Sequence, residues 1–341
     1  MTQELIYQGS VKDLYQRDNE LVFAYSDRYS VYDWGPMPDA IPHKGAALAS
    51  LAASFFEYLR AQGIASHYLR QAGANRIVVQ PVQVLRPKWQ AGRYDYSAYA
   101  ARPRHTLVPL EVIFRRRLAL GNSLQRRLAA DPAYAQELGL PALPADDALF
   151  DPPLVEYSTK LERSDRYLGR SELAALDILS DAELMRLQQQ TREVAASLRQ
   201  LLEPLGVELW DGKLEYAWGG GSWPKRELLL VDSIGPDELR LTYEGLPLSK
   251  EFLRQIHAGT PWARAMRQAR QLAAERQLLD WKRICIDELG QQPQPLSSEQ
   301  LQLASLLYQA LANAVARAVG RPLPFDAAID LPLWHARARK A

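Results

Sequence analysis

The chain has 341 residues, 47% of them hydrophobic and 24% charged, proportions that exclude a disordered tail and allow a sizeable core. Lysine plus arginine number 41 against 40 acids, so no whole-molecule positive field exists to gather a polyanion, and nucleic acid is not an expected partner. A single cysteine, Cys285, excludes an internal disulfide framework, a thiolate zinc site and CxxC redox chemistry.

The N-terminal stretch MTQELIYQGSVKDLYQRDNE is polar within a few residues and does not read as a secretory signal. The most apolar stretches, such as 301–319, are broken by polar residues and fall short of the roughly 18 uninterrupted apolar residues of a membrane span. A cytoplasmic protein without a membrane partner is the expectation, with a homo-oligomer left open.

In chain order, Leu5 to Tyr7, Val11 to Tyr15 and Leu21 to Tyr25 read as antiparallel strands around turns at Gly9-Ser10 and Arg17-Asp18-Asn19. Leu48, Leu51, Phe55 and Leu59 share one face of a helix over 45–59. Arg76 to Leu85 is β-rich, and 86–109 reads as an exposed connection. PLEVIF from Pro109 predicts a short strand, followed by an arginine-rich helical segment running past Ser123. The prolines within 142–157 predict a long loop. Leu184, Leu187, Val194, Leu198 and Leu201 mark an amphipathic helix. Strands over 207–218 and 227–234 follow, separated by the turn Gly219-Gly220-Gly221-Ser222. The tail is helical, opened by a Ser297/Gln300 capping box and stopped at Gly320 and Pro322. Strands, helix, strands and helices in that order predict an α+β fold. The expected parts are a β-rich lobe over 1–86, a central α+β lobe over 87–258 and a helical segment over 259–341.

The 207–218 strand is the most informative segment. Side chains alternate along a strand, so Asp211, Lys213 and Glu215 share one face while Trp210, Leu214 and Tyr216 share the other. The next strand is apolar until Asp232, and a hairpin would bring Asp232 near Glu215. Two carboxylates with an ammonium between them make a hard oxygen site suited to Mg²⁺ and nucleotide phosphates. The same spacing also fits a solvated strand face, with Asp211-Gly212 as a two-residue turn. Gly9-Ser10-x-Lys12 has the layout of a phosphate-approaching turn, although neither GxxxxGK[ST] nor GxGxxG occurs. Arg115-Arg116-Arg117 with Gly121-Asn122-Ser123 is chemically apt for a phosphate monoester, although such a cluster standing alone is more often a solvated basic helix face. The five histidines are scattered without metal-ligand spacing, and Cys285, flanked by apolar residues, reads as a buried structural thiol.

Taken in order, eight segments resemble the SAICAR synthetase family: YQGSVKDLY at 7–15, SDRYSVYDW at 26–34, IPHKG at 41–45, PLEVIFRR at 109–116 with GNS at 121–123, YSTK at 157–160, WDGKLEY at 210–216, VDSIGPDELR at 231–240 and SKEFLR at 249–254. The resemblance implies an ATP-grasp-like, two-lobed nucleotide-binding architecture with a helical C-terminal segment. It also implies an ATP-dependent amide ligase that activates the carboxylate of the imidazole ribonucleotide CAIR as an acyl phosphate, which the amine of L-aspartate opens to give SAICAR. Gly9, Ser10, Lys12 and Glu111 would then serve ATP, and Glu215 and Asp232 would hold Mg²⁺. Lys213 would lie beside the transferred phosphoryl, Asp211 would orient the imidazole and Lys250 would sit near the phosphates. Arg115, Ser123 and Arg240 would grip the ribonucleotide 5′-phosphate, with Lys160, Asp165, Asp237 and Arg254 also on the substrate side. Ser10 stands where many members have lysine, Ser233 where a second acid is usual, and 162–166 replaces a longer loop. These departures admit a specialised paralogue using another amine, or a nucleotide-binding homologue with impaired catalysis.

Overall fold

The computed structural model describes residues 4–118, 122–221 and 225–340; Gly121, given a site role above, lies outside the described residues, as does Ser222 of the expected turn. The chain divides into two compact units, one of Met1–Leu51, Arg70–Val78 and Thr242–Ala341, the other of Ala52–Leu69 and Val79–Leu241.

The first unit opens with three antiparallel strands, Glu4–Gln8, Lys12–Arg17 and Glu20–Tyr25, the second and third joined in register from Lys12↔Tyr25 to Arg17↔Glu20. Val22, Phe23, Ala24 and Tyr25 are all buried, as the third strand's apolar run requires. Gly9 is needed at its turn: its amide donates to the Lys12 carbonyl at 2.9 Å, and a Cβ would lie 2.6 Å from that same oxygen. The helical tail belongs to this unit. Its long helix, Ser298–Ala318, starts with the Ser297/Gln300 capping box and stops before Gly320, which is left-handed at φ 72°. Ser305 Oγ donates to the Pro42 carbonyl at 2.7 Å, and the Leu296 amide donates to Asp39 at 2.6 Å, so the tail is hydrogen-bonded to the segment that follows the N-terminal strands.

The second unit is built on a sheet in which strand Leu110–Arg117 lies between Leu149–Thr159 and Val207–Trp218, both antiparallel to it. Leu228–Val231 pairs with the last residues of the 207–218 strand, the hairpin expected from its apolar run. Helix Asp181–Leu202, capped by Ser180 and Glu183, covers one sheet face with Leu187, Thr191, Val194, Ala195 and Leu198. Thr191 Oγ1 meets the Tyr216 hydroxyl at 3.0 Å on that face. Among the described residues, no helix is long and apolar enough to cross a membrane.

Three expectations are corrected here. The arginine-rich segment is strand through Arg117, because Leu110, Val112 and Phe114 alternate inward while Glu111 and Arg115 alternate to the other face. The helix starts only at Ser123, where Asn122 accepts the Leu124 and Gln125 amides at 2.8 and 3.0 Å. The 142–157 stretch is not all loop, since Leu149–Thr159 is a strand whose Pro152 and Pro153 fall in an irregularity between the pairs Leu149↔Arg117 and Leu154↔Arg115. Prolines lack the ladder donor and are tolerated there. Asp211-Gly212 is no turn but the middle of a twelve-residue strand.

Gly212 is buried on the helix-covered face, where a Cβ would lie 2.5 Å from Phe114 Cε1 and 2.6 Å from Leu239 Cδ2. Gly212→Ala is therefore expected to cost about 1–3 kcal/mol by overpacking. A lowered urea midpoint with an unchanged slope is the expected result; an unchanged midpoint would mean that the two facing side chains yield freely.

Candidate functional site

Residues paired across an antiparallel sheet share a face, so the registers Asp211↔Arg115, Lys213↔Ile113 and Glu111↔Ser158 gather the charged side chains of three strands on one side. The opposite side carries Val112, Phe114, Leu214 and Tyr216 under the helix. Sequence alternation therefore becomes a two-faced sheet, apolar toward the helix and ionic on the other side.

At one end of the ionic face, Lys160 Nζ is bonded to Glu215 Oε1, and Lys213 Nζ donates to Glu111 Oε1 at 2.6 Å. Ser158 Oγ donates to the second Glu111 oxygen at 3.2 Å. Burial opposes charge on Lys160, but Glu215, Asp232 and Glu111 outweigh it and hold the ammonium above the ordinary lysine range. Lys213 behaves likewise: burial is outweighed by Glu111, Glu215 and Asp165, although its half-exposed side chain leaves part of that attraction screened. Both lysines stay cationic at neutral pH and suit charge compensation rather than proton abstraction.

Asp232 follows Val231, the partner of Glu215, so the hairpin brings the two carboxylates to one end of the strand pair. Its backbone is left-handed at φ 65°, a conformation that aspartate tolerates better than most residues. Buried His67 holds that turn, its Nε2 3.0 Å from the Asp232 carbonyl and its amide donating to the Leu230 carbonyl at 3.0 Å. The chain then runs through half-buried Asp237 to the Glu238 carbonyl, which accepts the Lys213 amide at 3.0 Å, and so returns Arg240 to the sheet.

Arg240 Nη1 lies 3.0 Å from Asp211 Oδ2 at the other end of the face. The same Asp211 oxygen is 3.5 Å from Arg115 Nη1, while Arg115 Nη2 donates to Ser123 Oγ at 3.2 Å. Glu156, fully buried, bonds both Arg115 Nε and Arg127 Nη2. With a strand rise of about 3.3 Å per residue, Asp211 and Glu215 stand about 13 Å apart along the strand.

The structure thus brings Glu111, Lys160, Asp165, Lys213, Glu215 and Asp232 together at one end and Arg115, Ser123, Asp211 and Arg240 at the other. Gly9, Ser10, Lys12, Lys250 and Arg254 belong to the first unit. There Lys12 Nζ lies 4.7 Å from the Phe23 ring centroid, and Arg28 Nη2 ties the loop by donating to the Gly9 carbonyl at 3.0 Å. Lys250 opens helix Lys250–Ala258 after the Ser249 cap, and Arg254 pairs with Glu251 at 2.9 Å. Sequence reasoning missed Glu156 and Arg127. A lone carboxylate inside the apolar run PLVEY was the available signal for Glu156.

Among the described residues, no group of three or more histidine, cysteine or acidic side chains gathers as an all-protein metal cage would. The donor set at Glu215 and Asp232 still fits Mg²⁺, which is commonly held by one or two carboxylates together with substrate phosphates.

Solved structures give the class of this fold. It is similar to the SAICAR synthase of Saccharomyces cerevisiae complexed with SAICAR, at TM-score 0.62 and 19% identity over 93% of this chain and 95% of that one. It is also similar to a SAICAR synthetase in complex with ADP, at TM-score 0.55 and 24% identity over 73% and 89% of the two chains. The SAICAR synthetase family model matches residues 5–269. A relative from Archaeoglobus fulgidus, provisionally named a phosphoribosylaminoimidazole-succinocarboxamide synthase, is 35% identical over 90% of this chain and 93% of its own. A Thermoplasma acidophilum protein of that name is 29% identical over 78% of this chain and 87% of its own. The chain belongs to the SAICAR synthetase family and is a ligase with that family's α+β fold.

Proposed function

We propose that this chain is the ATP-dependent ligase that joins L-aspartate to the carboxylate of CAIR, giving SAICAR, ADP and phosphate. The observation that carries the reading is the division of one sheet face into a lysine–carboxylate end and an arginine–serine end about 13 Å apart along the 207–218 strand. The first end suits a phosphoryl in transfer, the second a phosphate monoester at the far end of a ribonucleotide. The similar synthetase in complex with ADP and the yeast synthase complexed with SAICAR support this assignment.

A carboxylate is a poor electrophile because oxide would have to leave. Transfer of the ATP γ-phosphoryl to a carboxylate oxygen gives an acyl phosphate and ADP; attack by the aspartate amine on the acyl carbon then expels phosphate and leaves the amide. Lys213 and Lys160, fixed as cations, offset the charge that builds on the transferring group. Glu215 and Asp232 would hold Mg²⁺ with the nucleotide phosphates, and the ion when bound supplies further charge compensation. Arg115, Ser123 and Arg240 grip the acceptor's 5′-phosphate. Asp211, held between the two guanidiniums, orients the imidazole nearby. The family resemblance gives phosphate and substrate contacts to Gly9, Ser10, Lys12, Lys250 and Arg254, and substrate contacts to Asp165 and Asp237.

The test is release of ADP by the purified chain supplied with ATP, Mg²⁺ and CAIR. ADP and SAICAR should appear only when L-aspartate is added. Turnover only with another amine would replace this reading with a specialised paralogue, and nucleotide binding without turnover on any amine would replace it with an impaired homologue.

A further inference from the structure

Glu156 and Arg127 have no role in the ligase chemistry above, yet both join Arg115 in the ionic cluster on the arginine-rich end of the face, with Glu156 fully buried between the two guanidiniums. Glu156 is 0% exposed and divides its two oxygens, Oε2 to Arg115 Nε and Oε1 to Arg127 Nη2. The Arg127 guanidinium lies 3.3 Å from the Tyr167 ring centroid, and the Tyr167 hydroxyl is 3.5 Å from Ser123 Oγ. Ser123 in turn accepts from Arg115 at 3.2 Å. These contacts close a ring.

A buried carboxylate is costly unless paired, and one guanidinium would be enough to pair it. Here two carboxylates, Glu156 and Asp211, meet three guanidiniums, Arg115, Arg127 and Arg240, which leaves one positive charge over. Arg127 Nε is also buried without a hydrogen-bond acceptor among the described residues. A cluster with more donors and more positive charge than it can satisfy internally is built to receive an anion. The aromatic stack fixes the plane of Arg127, and the shared carboxylate fixes its spacing from Arg115.

We propose that Glu156 is a positioning residue that holds Arg115 and Arg127 as a pair, making Arg127 a further contact to the acceptor's phosphate monoester. The identity of the acceptor rests on the ligase reading; the phosphate chemistry does not. Orientation established in advance lowers the entropy lost when the phosphate binds.

Ribose 5-phosphate and ribose, titrated by calorimetry into the full chain, give an affinity ratio that isolates the phosphate contribution. The wild-type chain should favour the phosphorylated sugar strongly. Glu156→Gln keeps the shape but turns an amide donor toward one guanidinium, and Arg127→Gln removes one guanidinium while leaving Glu156 paired with Arg115. Each should lower the ratio about tenfold or more, the value of a hydrogen bond to a charged group. Ribose affinity and the KM for ATP should stay within about twofold. A purely structural role would lower the melting temperature and leave the ratio unmoved. An unchanged ratio in folded Arg127→Gln, or a wild-type chain indifferent to the phosphate, would overturn the proposal, and Arg127→Gln alone decides if Glu156→Gln does not fold. Absence of ligase turnover with the phosphate ratio intact would remove the catalytic reading and leave this one standing.

Discussion

Glu215→Gln is expected to lower the turnover number by about a thousandfold at saturating Mg²⁺, ATP and acceptor, equivalent to about 4 kcal/mol of lost transition-state stabilisation. The substitution keeps the side chain's volume and removes its charge. Lys160 then loses the carboxylate it is bonded to, and the proposed ion loses one of its two anionic protein oxygens. Acceptor KM should change little, because Arg115, Ser123 and Arg240 lie about 13 Å away along the strand. Steady-state kinetics across a Mg²⁺ titration checks both halves of this expectation. A variant that keeps its full rate would take Glu215 out of the reacting centre, whereas a raised acceptor KM with normal turnover would move it to the binding end.

The second large effect is on stability and lies away from that face. Arg226 is 1% exposed, stacks 4.3 Å from the Trp218 ring centroid, donates to the Pro103 carbonyl at 2.6 Å and is bonded through Nη2 to Glu183, itself 4% exposed. Glu183 also accepts the Ser180 amide at 3.0 Å in the capping box of the long helix. Glu183→Ala would leave a buried guanidinium without its charge partner and remove half of a cap. Breaking such a pair costs about 3–5 kcal/mol, and the second unit should melt about 10 °C lower. Calorimetric scans of the full chain provide the measurement. Glu183→Leu combined with Arg226→Met should recover most of the loss, since replacing both partners removes the uncompensated charge. A double variant as unstable as the single one would show that the ion pair itself, rather than the orphaned charge, carries the stability.

Much of the ionic face was legible because strand alternation is a local rule. Asp211, Lys213 and Glu215 had to share a side, and the apolar run ending at Asp232 had to pair with the strand before it. The strand from Pro109 was legible by the same rule as far as Phe114, but its last three residues are consecutive arginines, which carry no apolar alternation and so suggested the start of a helix. Proline hid the neighbouring strand: Pro152 and Pro153 sit in a pairing irregularity, so the eleven-residue strand that supplies Glu156, Ser158 and the approach to Lys160 looked like a loop.

The partner of each charge was not legible. Lys160 with Glu215 joins residues 55 apart, Lys213 with Glu111 residues 102 apart, and Arg115 with Asp211 residues 96 apart. No local pattern encodes such pairs. They follow from strand register, which is set by which faces are buried and how the intervening chain closes. The sequence by itself determined the α+β class, the family's ordered motifs and the two-sided character of the 207–218 strand, because composition, turn residues and a two-residue period are properties of neighbours. Only the tertiary structure decided which carboxylate faces which cation, that Glu156 and Arg127 belong with Arg115, and that the helical tail is built into the same unit as the N-terminal strands. Those outcomes depend on burial and long-range register, which exist only once the chain has closed on itself.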